Sequence, residues 1–98
     1  MSYTNTMLDD VKLILGYSTN AFDSILQTYI DGAKADLKMV GILEDKIVES
    51  DPLIYSAIVS YVLAMIDTYE YRELSANAYH LQKEQLRRYT EYTTVSEV

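Results

Sequence analysis

Ninety-eight residues close about one hydrophobic core, so a single domain spanning residues 1–98 is expected, with a core modest enough that partner subunits would help it. A composition of 49% hydrophobic and 23% charged residues excludes a disordered chain, and the absence of cysteine excludes disulfides, thiolate nucleophiles and sulfur-ligated zinc. The net charge of −7 sits in residues 1–75, with 12 acids against 5 bases, while residues 76–98 hold 3 of each; this argues against a duplex-DNA reader, which needs clustered Lys and Arg.

The first helix is predicted over Met7 to Leu15, with Thr6 as N-cap and Asp9 and Asp10 at the positive end of its dipole. Gly16 is its natural stop, because it takes positive φ without a Cβ penalty. Residues 1–6 lack the basic start and apolar run of a signal peptide, and no stretch reaches the roughly 20 apolar residues of a membrane span, so cytoplasmic synthesis is expected. Ser18, Thr19 and Asn20 supply a second cap. After them Ile25, Leu26, Tyr29, Ile30, Ala33, Leu37 and Val40 recur at three- and four-residue steps, predicting a helix of about 20 residues to Gly41. Ile42 is expected to fold back on its last turn. Gly32 inside this helix costs about 1 kcal/mol against Ala and marks either a close crossing or a tolerant surface position.

Leu43 to Ser50 read as an acidic, solvated connector with room for one helical turn at Glu44 to Val48. Asp51-Pro52 is the strongest start signal in the chain, an N-cap acid followed by proline where its missing N–H costs nothing. From Leu53 to Tyr69 the sequence is apolar on most faces, which predicts a third helix buried on several sides at the centre of the core. After an acidic turn over Asp67 to Glu73, Ser75 or Asn77 is expected to cap a last helix reaching Tyr92. It carries Ala78, Leu81, Gln85, Arg88 and Tyr92 on one stripe and Tyr79, Gln82, Leu86 and Tyr89 on the next. Residues 93–98 lack periodicity and are expected to form a flexible tail. The fold class is thus all-α, a bundle of about four helices.

Nothing in the chain points to catalysis. His80 is the only histidine and falls mid-helix, far from the arrangement a nucleophile triad needs. Gly16, Gly32 and Gly41 are too widely spaced for a phosphate-binding loop. Acid pairs such as Asp9 with Asp10 and Glu44 with Asp45 are adjacent, point apart, and suit capping and solvation. No enzyme activity, cofactor or metal is expected. The compositional outlier is tyrosine, with ten copies, five of them after residue 68. Tyrosine serves half-buried packing and also surfaces that are wet in a monomer and covered in a complex.

The series Leu8-Asp9-Asp10-Val11-Lys12 with Leu15-Gly16, then Tyr29-Ile30-Asp31-Gly32-Ala33-Lys34 leading to Val40-Gly41-Ile42, resembles the head-to-tail connector proteins of tailed bacteriophages, also labelled possible DNA-packaging proteins. Asp51-Pro52-Leu53 with Ala57-Ile58 and Tyr61-Val62 resembles that family's central helix, and Gln85-Leu86-Arg87-Arg88 its C-terminal motif. The resemblance covers roughly residues 7 to 92, and the segment Asp67 to Asn77 departs from it. It implies a virion protein of the head–tail junction, made in the bacterial host cytoplasm from a phage or prophage. The implied assembly is a ring of about a dozen copies beneath the portal protein. Such a ring extends the channel that DNA traverses without specific binding and offers a platform to a stopper or tail-completion protein. No membrane and no cofactor are implied. An acidic wall is physically reasonable for DNA transit, since tight phosphate binding would impede it.

The candidate protein interface is the neutral C-terminal segment. There Arg87 and Arg88 are placed to reach carboxylates on a neighbour or on the portal, and Tyr89 and Tyr92 to supply desolvated area. Family resemblance points the same way, because connector C-termini commonly grip the portal. The competing expectation is a small acidic helical adaptor or regulatory protein that binds one partner without forming a ring.

Overall fold

A computed structural model describes residues 6–66 and 68–95. It contains α1 (Met7–Leu15), α2 (Asp23–Met39), a 3-10 turn at Glu44–Lys46, α3 (Pro52–Ala64), α4 (Arg72–Arg88) and the single turn α5 (Thr90–Thr93), with no strand among the described residues. The all-α expectation is met, with four helices of substantial length.

Local chemistry sets the ends of α1. Thr6 takes extended backbone and its hydroxyl accepts the Asp9 N–H at 3.1 Å. Gly16 has φ 75°, and the Tyr17 N–H returns to the Lys12 carbonyl at 2.9 Å. The end of α2 uses the same device. Gly41 has φ 106°, the Ile42 N–H reaches the Leu37 carbonyl at 3.1 Å, and Ile42 is buried as expected.

Three boundaries differ from expectation. The polar run at Ser18 to Asn20 does not cap α2 through its side chains. Asn20 accepts from Lys12 at 2.8 Å, and Lys12 also pairs with Asp23 at 2.9 Å, so α2 opens at Asp23 with Phe22 before it. The third helix stops at Ala64, five residues before the expected Tyr69. Bonds from the Met65 N–H to Val62 and from the Ile66 N–H to Leu63 tighten the last turn into i→i+3 geometry, and the chain reverses. The fourth helix starts at Arg72, ahead of the expected caps at Ser75 or Asn77, with the Ser75 N–H bonded to the Tyr71 carbonyl at 2.9 Å. Asp67 lies outside the described residues.

Helix α3 is the centre of the core, as its sequence implies: Ile54, Ala57, Ile58 and Val62 have no exposed surface. Helices α1, α2 and α4 all pack on it, α4 most extensively. The register against α4 is antiparallel, because Tyr61 meets Tyr79 edge-on at 5.1 Å and Ser56 accepts from Gln82 at 2.7 Å. Leu26, Ile30, Ala33 and Leu37 of α2 and Met7 and Val11 of α1 close the core. Gly32 does mark a close crossing: a Cβ there would lie 3.4 Å from the Tyr61 hydroxyl.

Three of the tyrosines tie helices together through carboxylates. Tyr55 of α3 donates to Asp10 of α1, Tyr79 of α4 donates to Asp36 of α2, and Tyr92 of α5 donates to Asp51 at the head of α3, at 2.8 Å in the last case. Each bond fixes the relative height of two elements and satisfies an acid next to the core.

Candidate docking surface at the C-terminal end

The last helix does not run unbroken to Tyr92. Arg87 and Arg88 end α4 where cations suit the negative end of its dipole, then Tyr89 adopts extended backbone with ψ 117° and the chain re-enters one helical turn. This break re-aims the residues beyond it. Tyr92, expected on a stripe with Arg88, turns inward and is 6% exposed. Its hydroxyl donates to Asp51 Oδ2, while Asp51 Oδ1 accepts the Leu53 N–H at 2.9 Å and the Ile54 N–H at 3.4 Å. One aspartate therefore caps α3 and anchors the C-terminal turn. The Leu43 N–H, bonded to the Tyr92 carbonyl at 2.7 Å, adds the connector after α2 to the same knot.

Electrostatics follow from that geometry. Burial pushes the Tyr92 hydroxyl up to about 12, with the neighbouring Asp51 carboxylate adding to it, and burial followed by Asp10 does the same for Tyr55, also to about 12. Burial acts to raise the Asp51 carboxyl, but the Tyr92 hydroxyl, the Leu53 and Ile54 N–H groups and Lys46 together outweigh it and hold it below its usual value. A tyrosine whose proton is held more tightly in the fold contributes stability that is whole below its unfolded value near 10 and lost as pH rises through about 12. Asp51 contributes stability that is present above its ordinary value of 3.8 and lost as pH falls below it. Tyr92→Phe is expected to cost about 1 to 3 kcal/mol at neutral pH. In thermal melts it should also show a shallower loss of stability than the parent between pH 10 and 12. An equally steep alkaline loss in the variant would contradict this role for Tyr92.

Of the four expected interface residues, Arg87, Arg88 and Tyr89 are exposed, and Tyr92 supports them from within. The arginines are not equivalent. Arg87 pairs with Glu84 at 2.6 Å on its own helix, whereas Arg88 makes no ion pair among the described residues. Tyr89, 43% exposed, borders a slot between the start of α3 and the end of α4, lined also by Leu53, Ser56, Gln82, Gln85 and Leu86. The Oε1 atom of Gln82 is buried there without a hydrogen-bond partner. Of the tail expected to be flexible, Thr93 closes α5, Thr94 and Val95 are exposed, and residues 96–98 lie outside the described residues.

Sequence reasoning missed the slot, because its walls come from residues about 30 apart that only the antiparallel packing of α3 and α4 brings together. It also missed the role of Asp51 as a double anchor, for which the acid and tyrosine excess was the only signal. His80 is exposed, with its ring 6.1 Å from that of Tyr79. No group of three or more potential metal ligands occurs among the described residues.

A family model described as phage connector protein matches residues 7–87. No curated protein and no solved structure matches the chain.

Proposed function

The chain belongs to the phage connector family, and from that premise we propose that it is a structural subunit of the virion head–tail junction, assembled as a ring of about a dozen copies beneath the portal. The ring extends the DNA channel and gives stopper or tail-completion proteins a platform. DNA passes without specific contact, in keeping with a net charge of −7. Arg87, Arg88 and Tyr89, held in place by Tyr92, form the contact to the portal or to a neighbouring subunit.

The observation that carries this reading is the family match over residues 7–87. Large apolar side chains left in water support it: Leu13, Met39, Leu74 and Leu81 are 79%, 84%, 65% and 68% exposed. Scattered exposed leucines are ordinary on a monomer, but so many on a subunit with so small a core suit one that finishes its burial in an assembly. Sedimentation of the protein with portal particles tests the partner. The protein is expected to travel with the portal, and free sedimentation of both at high protein concentration would contradict the proposal.

A further inference from the structure

Two apolar surfaces lie at opposite ends of the α3–α4 hairpin. At one end Leu53 and Tyr89, 48% and 43% exposed, border the slot described above, and the exposed Arg88 directly precedes Tyr89 as the last residue of α4. At the other end, where α3 finishes, Phe22, Ile25 and Met65 are 51%, 48% and 44% exposed around a depression between the α1–α2 loop and the end of α3. That depression adjoins, through Tyr17 and Thr68, a second one bordered by Glu70 and Tyr71. The 13 residues of α3 separate the two surfaces by about 20 Å, so a neighbour seated on one leaves the other open.

The exposed charges next to them are opposite, Arg88 adjoining Tyr89 at one end and Glu70 in the depression adjoining the other. Lys12, Lys34, Lys38, Lys83 and Arg87 are held in ion pairs within the subunit, whereas Arg88 and Lys46 make none among the described residues, and Lys46 lies in a separate depression with Asp45 and Glu91, outside the slot. Glu70 is an exposed carboxylate with no ion pair among the described residues. One surface thus offers an apolar slot with a free cation, and the other an apolar rim with a free anion. In a subunit this acidic, a free cation beside an exposed tyrosine has a ready partner in a second copy of the same chain.

We infer that these surfaces are the two halves of one subunit–subunit contact, in which the slot at Leu53 and Tyr89 with Arg88 of one copy receives the rim at Phe22 and Met65 with Glu70 of the next. The inference rests on the ring reading and names the faces that make the ring. Because the two faces differ, the contact is head-to-tail, the kind that closes into a ring when the rotation between neighbours permits.

Charge reversal tests it, since both residues are exposed and neither belongs to the core. Sedimentation velocity of the full chain over a concentration series is the readout, with circular dichroism confirming that each variant is folded. Arg88→Glu and Glu70→Arg are each expected to weaken self-association about tenfold or more. The double variant is expected to recover it. An equimolar mixture of the two single variants is also expected to associate, because alternating copies present only opposite charges at every contact. Single variants that associate like the parent, or a mixture as weak as either alone, would overturn this contact and leave the ring reading standing. A parent chain that stays monomeric at every concentration and on its portal would overturn the ring reading itself, and this contact with it.

Discussion

Ile58→Asp is expected to leave the chain without a cooperative melting transition and with most of its helical circular dichroism lost. Ile58 has no exposed surface and sits mid-way along α3, the helix on which α1, α2 and α4 all pack. A carboxylate there would be buried within the hydrophobic core cluster, and burying it costs several kcal/mol whether it stays charged or takes up a proton. The total stability of a domain this size is about 5 to 15 kcal/mol, so one such change removes most or all of it. Leu81→Asp is the control. Leu81 is 68% exposed, and the same substitution there should melt like the parent. Parental melting of Ile58→Asp would show that α3 is not the centre of the core.

Tyr79→Ala is the second large effect, a loss of about 3 to 5 kcal/mol read from denaturant unfolding, by analogy with deletion of other buried aromatic rings. The ring is 4% exposed and meets Tyr61 of α3 edge-on, with Lys83 Nζ 5.1 Å from its centroid. Its hydroxyl donates to Asp36 of α2, which also pairs with Lys83 at 3.4 Å. Burial, and then Asp36, hold the hydroxyl's proton well above its ordinary range. Tyr79→Phe keeps the ring and loses only the hydroxyl, so it should cost about 1 to 2 kcal/mol. The gap between the two variants measures packing separately from the hydrogen bond. Equal losses in both would show that the tie to Asp36, and not the ring, joins α4 to the rest.

What could be read from sequence was local chemistry. Thr6 before an apolar repeat, Asp51 before Pro52, and single glycines at 16 and 41 act within one turn of where they stand, so each boundary they govern appears where expected. The end of α3 was not legible. Its apolar run continues to Ile66, and only the need to turn and pack α4 back along α3 stops the helix at Ala64. The break at Tyr89 is of the same kind, since no proline or glycine announces it and the anchoring of Tyr92 on Asp51 accompanies it. That break is why the expected interface divided, with Tyr92 inside and Arg88 and Tyr89 outside. The tyrosine–carboxylate ties span 41 to 45 residues, a distance over which a single sequence carries no pairing signal.

Electron microscopy of the protein mixed with its portal is the most direct test of the central claim that this chain is a ring-forming connector subunit. The account predicts a closed collar of copies on one end of the portal, coaxial with its channel. Portals that remain bare at high protein concentration, or that carry isolated copies without a closed collar, would contradict it.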